Sequence, residues 1–234
     1  MKILALDASS GVASAALVCD DILVGEYTIN HKKTHSQTLM PMISSLLEDC
    51  ESKLSEIDAF AISVGPGSFT GLRIGIATAK GLAHASGKPI VGVSTLEAMA
   101  YNLPFCKDLI VPIMDARRDQ VYGGAYHWED DGLCTVCEPC AVSIDEILDI
   151  VKRENKKAVF IGDGILRFKE QIECELGDMC EFAFANSNMQ RASSVAVLAK
   201  KKIEAGEAVS CEKITPVYLR KSQAEREYDE KNNK

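Results

Sequence analysis

Ser63-Val64-Gly65-Pro66-Gly67-Ser68-Phe69-Thr70-Gly71-Leu72-Arg73-Ile74-Gly75 decides how the chain folds, because the apolar run Ile57 to Ile62 stops there at a glycine loop and a helical pattern begins. The order is strand, loop, helix. Gly65 and Gly67 can take positive φ, Pro66 fixes one dihedral between them, and Ser68 or Thr70 can cap the helix that follows. Backbone N–H groups at a helix N-terminus attract anions, so Gly65, Gly67, Ser68 and Thr70 are candidates for holding a nucleotide phosphate. No Gly-Lys-Ser/Thr closes the string, which separates it from the P-loop. A tight turn that lets the helix pack closely on its strand explains the same residues.

Upstream of this loop, Lys2 to Leu6 runs apolar into Asp7, and Ser9-Ser10-Gly11 leads to two further β-like runs, Val12 to Cys19 and Ile22 to Ile29. This is an antiparallel meander. Asp7, at the end of the first strand beside a hydroxyl-rich turn, is placed to meet Mg-nucleotide phosphates, or else to cap its own turn. Ala8 stands where a glycine would admit a phosphate. Thr34 and Gln37 read as a capping box that starts a helix at His35. Its Leu39, Met40, Met42, Ile43, Leu46, Leu47 and Cys50 form an apolar arc wider than one core-facing stripe, and Pro41 is expected to kink or delay it. His31 and His35 have the spacing of a helical metal chelate, but the helix starts too late to include both and no third ligand is near.

Downstream, a second helix is expected from Leu72 to Ala85, with Arg73, Ala77, Lys80 and His84 on one stripe. Its many small residues suit the close approach of another helix, or burial within its own domain. The opening pattern then returns. Val111-Pro112-Ile113-Met114-Asp115-Ala116 matches Ile3-Leu4-Ala5-Leu6-Asp7-Ala8, and the strand ending in Gly162-Asp163-Gly164 echoes the one ending in Gly65-Pro66-Gly67. A duplication follows, and with it an α/β fold of two lobes, the actin-like ATPase (ASKHA, RNase H-like) architecture. The expected division is an N-terminal lobe at 1–105, a C-terminal lobe at 106–220, and a charged, flexible tail at 221–234.

Composition bounds the function. The 234 residues are 47% hydrophobic, enough for a sizeable core, and the formal net charge of −8 argues against a main role in gripping nucleic acid. Nine cysteines, an odd number, fit reduced thiols and a cytoplasmic protein. Cys134, Cys137 and Cys140 lack a fourth thiol at paired spacing and, if extended, alternate in direction, so no metal is expected on them. The apolar run before Asp7 is too short for a membrane span.

The stretches Ile3-Leu4-Ala5-Leu6-Asp7, His35-Ser36-Gln37 with Leu39-Met40-Pro41, Gly65 to Gly75, Gly92-Val93-Ser94-Thr95-Leu96, Met114-Asp115-Ala116-Arg117 and Pro216-Val217-Tyr218-Leu219-Arg220 together resemble the bacterial TsaB (YeaZ) family. The likeness runs to about Arg220, and Asp130 to Met189 carries no family motif. It implies an actin-like fold and a part in placing threonylcarbamoyl on the adenosine beside the anticodon of tRNAs that read ANN codons. In that family the chain is a partner of the catalyst. Its TsaD paralogue carries the metal-binding histidines and performs the transfer, and TsaE supplies an ATPase. The implied partners are a TsaD-like paralogue and a TsaE-like ATPase, with a homodimer when alone, tRNA contacted only indirectly, and no membrane. No catalytic or metal set assembles, and no cofactor is required, although weak ATP or ADP binding is compatible. Asp7, Gly65, Gly67, Ser68, Thr70 and Asp115 then form a vestigial phosphate loop, and Met42, Leu46, Arg73, Ala77 and Lys80 are the expected docking residues. The rival readings are an ATP-dependent small-molecule kinase using Asp7 or Asp115, and a metallopeptidase using His31 and His35.

Overall fold

The computed structural model describes residues 1–31, 33–130 and 132–220, so the tail expected at 221–234 lies outside the described residues. The opening meander forms β1 (Lys2–Asp7), β2 (Val12–Cys19) and β3 (Ile22–Asn30). It is followed by α1 (His35–Asp49), β4 (Ala59–Gly65), α2 (Phe69–Ser86), β5 (Ile90–Ser94) and α3 (Thr95–Ala100). The same βββαβαβα order repeats as β6 (Leu109–Asp115), β7 (Gln120–Glu129), β8 (Gly132–Ser143), α4 (Ile144–Glu154), β9 (Ala158–Ile161), α5 (Ile165–Leu176), β10 (Cys180–Phe182) and α6 (Ala192–Glu204). The first sheet is ordered β3-β2-β1-β4-β5, and the second, β10-β9-β6-β7-β8, is the same order read from its other edge. In each, two antiparallel pairs lead to two parallel ones, β1–β4 and β4–β5 in the first sheet, β6–β9 and β9–β10 in the second. The repeat read from the two aspartate strands is therefore a repeat of the whole module.

Local chemistry sets the helix ends. Ser68 caps α2 by accepting from Gly71 N at 3.3 Å, so the helix begins three residues before the expected Leu72. Gly87, at φ 64, ends it in the left-handed conformation that glycine adopts without strain. One expectation for α1 needs correction: Thr34 is its N-cap residue but makes no side-chain cap bond, while Pro41 sits inside the helix and does not delay its start at His35. Helix α5 and the short strand β10 went unread in the sequence.

The inner strands β1, β2 and β4 are apolar runs because both of their faces are covered, whereas the edge strand β3 is largely exposed. One face packs Leu4, Leu6, Phe60 and Ile62 against Leu39, Met42, Ile43 and Leu46 of α1 and Leu72 and Ile76 of α2. The other packs Ile3, Ala5, Val91 and Val93 against Ala192, Val195, Ala196 and Ala199 of α6. Helix α3 meanwhile contributes Leu96, Met99 and Ala100 to a cluster with Ile110, Met114, Tyr126 and Ile161 of the second sheet. Each half thus lends its last helix to the other. Helix α6, inside 106–220, completes the core of the first sheet. Among the described residues, no helix is long and apolar enough to cross a membrane.

Candidate functional site

The glycine loop between β4 and α2 lies on the turn between β1 and β2, and backbone meets backbone. Ser68 N donates to Ser9 O at 2.6 Å. A Cβ on Gly67 would stand 2.2 Å from Ser9 O, and one on Gly71 would stand 2.2 Å from Ala8 O. Only glycine lets the start of α2 come this close. Ser68 N–H, expected to face outward toward an anion, is taken by the chain itself, and Thr70 is exposed. Gly65, at φ 128, is crowded from another side, since its Cβ would lie 2.4 Å from Val217 O. The close-packing turn describes this geometry.

Asp7 is buried beneath the loop at 1% exposure. Its Oδ1 accepts from Ser9 N at 2.9 Å and from Ser9 Oγ at 2.7 Å, and its Oδ2 accepts from Ser63 Oγ. Burial raises its pKa above the ordinary carboxylate value, and the three hydrogen bonds oppose that rise. Through these bonds the carboxylate caps the turn between β1 and β2 and ties it to β4. His35, the first residue of α1, places Nε2 2.8 Å from Ser10 O, which separates it in role from the exposed His31.

The second aspartate turn is built differently. Asp115 accepts from Arg117 N at 2.7 Å, and Arg117, Arg118 and Asp119 follow with φ of 61, 55 and 57, three side chains in the left-handed region. Arg167 reaches both Asp115, at 3.4 Å, and Asp119, at 2.5 Å, and Arg220 Nη1 donates to Ala116 O at 2.5 Å. Guanidinium groups of the chain therefore stand beside this turn. Asp163, in the turn after β9, has its pKa raised by burial and by the nearby Asp115 charge. Sequence reading did not single it out, although its Gly-Asp-Gly setting was visible.

Helices α1 and α2 divide the expected docking residues. Met42 and Leu46 are 5% and 1% exposed and belong to the core under the first sheet, so their expected place on a docking surface is corrected. The wide apolar arc of α1 is covered by β2, β3 and α2 together, and Met40 remains outside at 45% exposure. On α2, Ala77 and Gly81 are exposed, and nothing lies within 4 Å of a Cβ built on Gly81. Arg73 is also exposed but engaged: its guanidinium lies 3.9 Å above the Phe69 ring, and Nε donates to Tyr218 Oη at 2.9 Å. Phe69 and Tyr218 stack with centroids 4.7 Å apart. Lys80 donates to Glu212 O at 3.4 Å and Ile214 O at 3.2 Å. These contacts hold a carboxyl-terminal strap, residues 209–220, along α2 and over the glycine loop, with Val217 N donating to Val64 O at 2.7 Å. The aromatic and basic residues at 69, 73 and 80 are the signal the sequence offers for this strap.

Comparison with known proteins adds the following. A family model described as TsaD, tRNA N6-adenosine threonylcarbamoyltransferase, matches residues 23–228. The tRNA threonylcarbamoyladenosine biosynthesis protein TsaB of Bacillus subtilis is 36% identical over 230 residues, covering 98% of this chain and 99% of that one. The solved structure of YeaZ from Pseudomonas aeruginosa superimposes with a TM-score of 0.76 at 27% identity, over 93% of this chain and 99% of that one. A ROK hexokinase from Thermus thermophilus, 12% identical, superimposes with a TM-score of 0.50 over 87% of this chain and 100% of the other, and shares the fold alone. The duplicated two-lobed architecture is that of the actin-like ATPases.

Proposed function

The chain belongs to the TsaB (YeaZ) family, and from that premise we propose that it serves tRNA threonylcarbamoyladenosine biosynthesis as a non-catalytic subunit that docks a TsaD-like paralogue. The paralogue transfers the threonylcarbamoyl group to the adenosine beside the anticodon of tRNAs reading ANN codons, and a TsaE-like ATPase joins the larger assembly. The observation that carries the non-catalytic reading is the occupied Asp7: both oxygens are bonded within the chain, under a loop whose Ser68 N–H is already engaged. Kinase chemistry needs a carboxylate free to hold a metal or take a proton, and a cradle open to phosphates. The chain therefore needs no cofactor for this role, and any ATP or ADP binding is weak. It works in the cytoplasm and meets tRNA through its partner.

The docking face is the outward side of α2, with Ala77 and Gly81 at its centre and Met40 of α1 as its exposed apolar residue. Small side chains let a partner helix approach closely, and in the absence of the paralogue the same face pairs two copies of the chain. Ala77→Glu places a charge in that contact. Co-elution of the folded variant with the paralogue is expected to fall at least tenfold in affinity, with modification activity of the assembled system falling alongside. Wild-type binding and activity by a folded Ala77→Glu variant would overturn the docking face.

A further inference from the structure

Among the described residues, His84, Cys211 and Glu212 bring an imidazole, a thiol and a carboxylate within 4.8 Å of one another. His84 belongs to the last turn of α2, and the other two open a single 3₁₀ turn, Cys211–Lys213, in the carboxyl-terminal strap. We propose that this cluster binds one Zn²⁺ ion, which clamps the strap to α2.

Position supports it first. The strap is held in place by contacts that do not use the cluster: Lys80 to two of its carbonyls, Ile90 and Val209 bonded to each other in both directions at 3.0 Å, and Ile214 buried at 8% exposure. Cys211 is half-buried against the core of the first sheet. Donors already held near each other lose little freedom when an ion joins them. Spacing supports it next. His84 Nδ1 and Cys211 Sγ are 3.9 Å apart, and tetrahedral zinc with ordinary Zn–N and Zn–S bonds separates such atoms by about 3.6 Å. Glu212 and His84 are exposed side chains, and the Glu212 carboxylate, hydrogen-bonded to Ser210 and Cys211, has to turn from Ser210 to close the remaining gap.

The donor set selects the ion. A thiolate with an imidazole and a carboxylate suits zinc and disfavours the hard, oxygen-seeking Mg²⁺ and Ca²⁺. Three protein ligands leave the fourth position to water. The site also lies at the carboxyl end of α2, where the helix dipole favours a cation. A thiol that ligates zinc does so as the thiolate and gives up its proton to solvent.

A second cluster, His127, Glu129 and Cys134, lies toward the end of the β7–β8 hairpin. There Nε2 of His127 is paired with Glu129 at 2.7 Å, and the buried Nδ1 has no hydrogen-bond partner. A metal-bound histidine needs an acceptor for its other nitrogen, which makes this cluster the weaker seat and a useful internal control.

The test uses the full, reduced, tag-free chain, titrated with Zn²⁺ against a competing chelating dye and with Co²⁺ as an optical probe of thiolate ligation. One ion per chain is expected, with a thiolate-to-cobalt band, proton release, and slower amide exchange across residues 209–218. Cys211→Ser and His84→Ala should each weaken binding at least tenfold and abolish the band, while Cys134→Ser leaves both intact. Circular dichroism confirms folding. Zinc binding that is absent, that survives both substitutions, or that follows Cys134 would overturn the site. None of these readouts involves the paralogue, so the outcome is separate from that of the docking face.

Discussion

Asp7 keeps a carboxylate where water cannot reach it, and the cost shows as a raised pKa caused by burial. The sign of the pH effect follows. A carboxyl whose pKa is higher folded than unfolded favours the native state most below its ordinary unfolded value, and that contribution is lost as pH rises through the folded value. Removing the charge therefore helps increasingly with pH across that window. Asp7→Asn retains an acceptor for Ser9 and lets Ser63 turn its hydroxyl to accept instead, so Tm is expected to rise at neutral pH and converge with the parent in acid. On the proposed non-catalytic role, modification by the assembled system should be preserved. Asp7→Ala strands the Ser9 and Ser63 donors and should cost about 1–3 kcal/mol. Thermal melts of both variants across pH check this, and loss of modification in a folded Asp7→Asn variant would return a nucleotide role to the chain.

Helix α2 is the element most constrained by its neighbours. Gly71 faces the Ala8 carbonyl, whereas Gly81 faces open space. Gly71→Ala must push α2 off the first β-turn, at a cost toward the top of about 1–3 kcal/mol. Gly81→Ala meets nothing in the chain and should stabilise by up to about 1 kcal/mol through helix propensity. Denaturant midpoints of the two variants should move in opposite directions. This element also shows what patterning can and cannot tell. The strand-loop-helix order around Gly65 to Gly75 was legible because turn glycines, a capping serine and a change of period coincide there. The assignment of Met42 and Leu46 was not, because the width of an apolar arc does not say how many surfaces of its own fold will cover it. Helix α5 carries apolar residues at 165, 168, 172 and 176, yet Gly164 supplies no capping side chain to mark its start. The strap on α2 was hidden for a different reason: its contacts join residues more than 130 positions apart, such as Arg73 with Tyr218 and Lys80 with Glu212.

At the scale of the whole molecule, the exchange of α3 and α6 makes two repeated modules into one cooperative body. A fragment of residues 1–105 lacks α6 and would leave Ile3, Ala5, Val91 and Val93 uncovered. That fragment alone should fail to show a cooperative unfolding transition, while the full chain melts in one step. Co-expression with residues 106–220 should restore a soluble pair, and an independently stable first half would refute the exchange as a folding requirement. The same exchange governs how the protein is made. Synthesis runs from the amino terminus, so the face of the first sheet that awaits Ala192, Val195 and Ala199 is finished about 100 residues before its cover emerges. At about 5–20 residues per second, that face stands bare for roughly 5–20 s on every ribosome. A nascent chain holding an apolar sheet open for so long is a natural client of ribosome-associated chaperones. Slower translation between β5 and α6 lengthens the exposure and should raise the share of newly made protein that aggregates before it is released.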